Sequence, residues 1–159
     1  MAADIRLVAL IVFAALALPT AAAAEIKWSL GKEKGRPFLS AMENESEVDY
    51  ELWARCRTDG DIDVGMGAES HVGKGKGEMV ELTLTSAGQT AKVAGVSRES
   101  VNVEMTGGIE LQGKVKRDDK LFVVLATGQP ITVTGPIKTL KLGVKGLKPK
   151  VDAFLKSCK

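Results

Sequence analysis

One histidine, one tyrosine, two cysteines and five prolines are all that this 159-residue chain holds of those types. A lone histidine cannot supply the paired ligands of a zinc site, and the two cysteines lack further ligands at metal-binding spacing. No Gly-x-Ser-x-Gly elbow is present, so a serine hydrolase of that design is excluded. Basic and acidic residues nearly cancel, leaving a net charge of +2 without the strong basic excess of a nucleic-acid binder. Long apolar runs are also missing after the first residues. Nothing beyond Leu18 is apolar for the roughly 20 residues that a membrane helix needs.

The one long apolar run, Leu7 to Leu18, follows Arg6 and is ended by Pro19 and the small residues Thr20 to Ala24. Charged, apolar and small segments in that order make a secretory signal, cut after Ala24 or Ala22, and at twelve residues the apolar run is short for a retained anchor. Residues 1–24 are therefore expected to be removed. Residues 25–159 are expected to form one β-rich domain in the periplasm or outside the cell, not membrane-spanning once the signal is cut.

Cys56 and Cys158 would then meet an oxidising compartment, where two thiols most simply make one disulfide. A metal pair would need other ligands, and a reactive thiol would need a base from a chain with one histidine. Periodicity supports the bridge. Val48, Tyr50, Leu52, Ala54 and Cys56 alternate with polar or bulky partners, the signature of a half-buried strand. Leu147, Val151, Phe154, Leu155 and Cys158 instead recur as one face of a helix, with Pro149 in its first turn. Both sulfurs thus point inward. A helix of about three turns is too short to stand alone, so it must dock.

Between these segments the chain reads as short strands and turns. Thr58-Asp59-Gly60-Asp61 turns a hairpin spanning 48–66. Val80 to Thr85, Thr90 to Val96, Val101 to Met105 and Ile109 to Val115 follow, with Gly107-Gly108 read as a hairpin turn. Leu121 to Ala126 reads as a strand buried on both faces, then Ile131 to Thr134 and Ile137 to Leu142 as two more. The expected fold is all-β: a sandwich or barrel of roughly nine to eleven short antiparallel strands with a C-terminal helix docked on it.

Candidate functional residues are few. The stretch Gly65 to Gly77 is glycine-rich but misses the phosphate-loop pattern: five residues separate Gly67 from Gly73-Lys74, and Gly75 follows instead of Ser or Thr. It reads as a mobile loop whose Lys74 and Lys76, with nearby backbone amides, could meet an anion. His71 sits beside Ser70 and Glu69, but sequence neighbours on a loop rarely form a triad. Trp53 lies on the polar face of its strand between Glu51 and Arg55. It is either a partner-binding anchor or an aromatic covered by the segment around Trp28 and Phe38. Trp53, His71, Lys74 and Lys76 are the candidate partner contacts. No catalytic residue, metal ligand or cofactor is assigned.

Trp28, Pro37-Phe38-Leu39, the strand Leu52 to Cys56, Leu140 to Gly143 and the closing Val151-Asp152-Ala153-Phe154-Leu155-Lys156-Ser157-Cys158 form a layout. It resembles small exported proteins of unknown function, chiefly from alphaproteobacteria. More distantly, the strand cysteine and helix cysteine resemble those of invasion-associated locus B proteins and VasI-type secretion accessories. The resemblance implies a periplasmic β-domain with one disulfide and carries no catalytic residues. The expected function is a non-enzymatic exported binding or interaction module for a protein or envelope polymer, with inhibition of an envelope hydrolase as one concrete form. Two alternatives stand beside it. One is an enzyme using an unrecognised carboxylate site. The other is a structural component contacting anionic surfaces through the lysines from Lys138 to Lys159.

Overall fold

The computed structural model describes residues 25–43, 50–68, 70–100 and 107–158. Nine antiparallel strands form one sheet that curls into a nearly closed barrel. They are β1 (Ile26–Glu33), β2 (Arg36–Glu43), β3 (Tyr50–Cys56), β4 (Ile62–Met66), β5 (Met79–Ser86), β6 (Gln89–Glu99), β7 (Ile109–Val115), β8 (Ile131–Thr134) and β9 (Leu140–Leu142). Two helices complete the fold among the described residues, α1 (Lys120–Leu125) and α2 (Leu147–Ser157). The order across the sheet is β1-β2-β3-β4-β7-β6-β5-β8-β9, so β7 joins the N-terminal meander to the β5–β6 hairpin.

Local chemistry sets the turns. Lys34-Gly35 and Ala87-Gly88 each carry two positive φ angles, the type I′ geometry that matches strand twist in two-residue hairpins. The registers Glu33↔Arg36 and Ser86↔Gln89 close those hairpins. Asp59 Oδ1 accepts from the Asp61 backbone N–H and helps turn β3 into β4.

The interior is filled. Leu39, Leu52, Ile62, Met66, Leu82, Leu84, Leu111 and Ile131 line it and are fully buried. At the seam between the edge strands β1 and β9, the Trp28 indole donates to the Gly143 carbonyl at 2.6 Å. Helix α2 buries Leu147, Val151 and Phe154 against β1, β2 and α1, with Phe154 and Phe122 ring centroids 6.1 Å apart. The expected Cys56–Cys158 bridge is present, with Cα atoms 5.4 Å apart, inside the range a disulfide spans.

Some expectations are corrected. Leu121 to Ala126 is not a buried strand; it is essentially helix α1. The Asp119 carboxylate caps it by accepting from the Leu121 N–H at 2.8 Å, satisfying one of the unpaired donors of the first turn. Leu121, Phe122, Val124 and Leu125 face the barrel, while Val123 is 54% exposed. That is a helical and not an extended pattern. Of Ile137 to Leu142, only Leu140–Leu142 is strand. β7 pairs with β6 ending at Glu99 on one side and with β4 on the other. The strand expected at 101–105 lies outside the described residues, as do residues 1–24 with the expected signal, most of the acidic stretch near residue 45, Glu69 and Lys159.

Candidate functional site

The outer face of β2, β3, β4 and β7 gathers aromatic, acidic and basic side chains among the described residues. Trp53, Glu51 and Arg55 share the outward side of β3, yet Trp53 is 4% exposed and Glu51 2%. The reason is a glycine. Trp53 pairs with Gly65 on β4, and the indole lies flat across that strand where a Cβ on Gly65 would overlap its Nε1 and Cε2. Crossing β4 brings Nε1 within 3.0 Å of Glu110 Oε2 on β7. The Glu110 carboxylate is fully buried and also accepts from Gln112 Nε2 at 2.9 Å. Trp53 is therefore the covered aromatic and not an exposed anchor. A glycine directly across the strand from a large aromatic was the sequence signal that could have found this.

Beside the indole, Phe38 stacks on Trp53 (6.2 Å, 24°) and meets Tyr50 edge-on (5.5 Å, 73°). Phe38 and Tyr50 are both half-buried, and such offset and edge contacts are the ones aromatic rings prefer. The Arg55 guanidinium lies over the Trp53 ring at 5.5 Å, within cation–π reach. These residues and the tip of the β1–β2 hairpin, Lys32, Glu33 and Lys34, line a surface cleft of about 340 Å³. This cleft is the candidate site. Arg55 is held by Glu33 at 3.1 Å and Asp63 at 3.4 Å, while its buried Nε meets no acceptor among the described residues. Lys32 and Lys34 are exposed at the lip, and neither has an ion-pair partner among the described residues. Sequence reasoning missed Lys32, Lys34 and Tyr50, because a cleft made by three strands and a hairpin tip has no local pattern.

Further charges on this face are spent on one another. Asp63 also takes Arg57, and Asp61 takes Lys114 and Lys116. Lys116, and next Lys114, hold the Asp61 carboxyl below the usual carboxylate range.

The remaining candidates, His71, Lys74 and Lys76, lie on a loop well away in sequence from the cleft residues. The loop is pinned, contrary to its reading as a mobile loop. Ala68 and Val72 are buried, the Val72 N–H donates to Ile109 O, and the Ile109 N–H donates to Ala68 O. The anion that its amides could receive is the chain's own. The Glu78 carboxylate accepts from the backbone N–H groups of Lys74 and Lys76, and Gly75 N–H donates to buried Ser97 Oγ. Gly73, at φ +79°, leaves room for this; a Cβ there would stand 2.6 Å from Glu78 Oε1. Only glycine takes that backbone conformation without strain.

The Lys74 amide, the Glu78 amide itself and the Lys76 amide hold the Glu78 carboxyl below the ordinary 4.5. A depressed folded value means that this hold is complete above the ordinary value and is lost as pH falls through the lowered one. Acid titration is expected to shift the Lys74 and Lys76 amide proton resonances upfield in one step. Glu78→Gln should remove that step, since an amide NH₂ would face one of the two donors. An unchanged titration in the variant would show that Glu78 does not hold the loop.

Among the described residues, no group of three or more His, Cys, Asp or Glu side chains could hold a metal ion, and no helix is long and apolar enough to cross a membrane. Compared with known proteins, the chain matches no family model, no curated protein and no solved structure. The functional reading therefore rests on the geometry of the cleft.

Proposed function

We propose that the chain is an exported, non-enzymatic binding module that seats its ligand in the Phe38–Tyr50–Trp53 cleft. The observation that carries this reading is the pairing of half-buried aromatic walls with two exposed ammonium groups that have no ion-pair partner among the described residues, on a filled, disulfide-closed scaffold. Aromatic surface that is neither fully covered nor dispersed is where binding free energy concentrates. The disulfide is in keeping with an oxidising compartment outside the cytoplasm, and the periplasm fits the secretory pattern of residues 1–24.

The enzymatic alternative would draw on the buried acids Glu51 and Glu110. Glu110 is held by Trp53 and Gln112, and neither acid lines the cleft, so that reading has less support. A hydrolase inhibitor working through the glycine-rich loop would need a protruding loop, and this one is tied down by buried contacts. Lys141, Lys145, Lys148 and Lys156 are exposed and leave room for contact with an anionic surface, but no aromatic walls accompany them.

The test is capture from an envelope extract by the disulfide-intact mature chain, run beside a Phe38→Ala, Tyr50→Ala double variant of verified fold. A species kept by the parent and lost by the variant supports the reading. Equal capture by both, or none by either, overturns it.

A further inference from the structure

The lip of the cleft is cationic and its inner walls are aromatic, and the two together specify more than a generic binder. Phe38 and Tyr50 meet edge to face at 73° with ring centroids 5.5 Å apart, so their outer surfaces form an angled aromatic wall. The cleft holds about 340 Å³. That lies near the bottom of the range for small-ligand pockets, roughly 300 to 1,000 Å³, and suits a small ring compound. The one acid in its lining, Glu33, is neutralised by Arg55 at 3.1 Å. An incoming anion would therefore meet little repulsion from the cleft itself. Lys32 and Lys34 flank Glu33 on the exposed hairpin tip and have no ion-pair partner among the described residues.

We propose that the ligand is a ring compound bearing an acid group, its ring held against the Phe38–Tyr50 wall and its acid between the Lys32 and Lys34 ammoniums. This deepens the cleft reading above and rests on it. A uronic acid sugar and a simple aromatic acid share this chemistry. A sugar ring would present its C–H face to the aromatic walls; an aromatic ring would pack edge-to-face against them. Lysines on flexible stems act as point charges and set the sign of the ligand without fixing its shape.

The experiment is a nuclear magnetic resonance titration of the intact chain, read at the Phe38 and Tyr50 rings and the Trp53 indole N–H. The probes are glucuronate against glucose and phenylacetate against benzyl alcohol. At least one acid is expected to bind about five- to tenfold tighter than its neutral counterpart, with the advantage shrinking as salt is added. The arm that shows it identifies the ring type. Lys32→Gln, Lys34→Gln, both on exposed positions, should erase the advantage and leave residual ring binding. Acid and neutral probes binding equally, or an advantage that survives the double variant, would overturn the charge inference and leave the cleft standing. No shift from any probe would remove both.

Discussion

Trp53→Ala is expected to destabilise the domain by about 5 kcal/mol, a large share of the roughly 5–15 kcal/mol that domains ordinarily have. Two effects combine. Removing a buried indole leaves a void over Gly65, which has no side chain to fill it, and losses of roughly 3–5 kcal/mol accompany such truncations. The buried Glu110 carboxylate also loses the donor that faces its Oε2 at 3.0 Å. Shortfalls of that kind cost about 1–3 kcal/mol. Trp53→Phe separates the two, because it keeps most of the volume and drops the N–H; its cost should be about 1–3 kcal/mol. Urea unfolding of the three proteins decides the matter. A loss under about 1 kcal/mol for the alanine variant, far below the range for such truncations, would mean that the strand-crossing indole does not hold β3, β4 and β7 together.

Cys56→Ser, Cys158→Ser should lower stability by about 4 kcal/mol, which for a domain of this length moves the melting temperature down by roughly 10–20 °C. The bridge spans 102 residues and so restricts the unfolded chain over most of its length. Helix α2 should stay docked in the cold, since Leu147, Val151 and Phe154 remain buried in the core. Both sulfurs are buried, so reductant should act on the parent protein only through transient opening. Thermal melts by circular dichroism, with and without reductant, test both statements. A variant that melts within a few degrees of the parent would refute the first, and instant reduction of the native protein the second.

The disulfide and its two supporting elements were legible because each has a strong local period. The 48–57 strand alternates, the C-terminal helix repeats at 3–4 residues, and both put a cysteine on the apolar side. Helix α1 was not legible, because Leu121-Phe122-Val123-Val124-Leu125 offers no polar residue to mark its outer face. Only the exposure of Val123 distinguishes it from a buried strand, and Asp119 was the one available start signal. The cleft and the Trp53–Glu110 contact were beyond reach for another reason. Trp53 and Glu110 are 57 residues apart and meet only because the strand order places β4 between β3 and β7, while the cleft, lined by residues 32–55 of the β1–β3 meander, shows as a cleft only once those strands are laid side by side. The glycine-rich loop was read as mobile from composition, yet Glu78, one residue past its end, supplies the anion that orders it.

That strand order also sets a sequence of events in synthesis. As the chain emerges from its N-terminus, β1 to β4 can zip into a meander at once, but the far edge of β4 waits until β5 and β6 have been made and β7 arrives. Until then it is an unpaired template open to strands of other molecules. Trp28 waits longer for Gly143, and Cys56 stays a lone thiol until α2 brings Cys158. Barrel closure is thus a late, non-local step of the kind that takes milliseconds to seconds, with a window for mispaired thiols that ends only when the final helix docks.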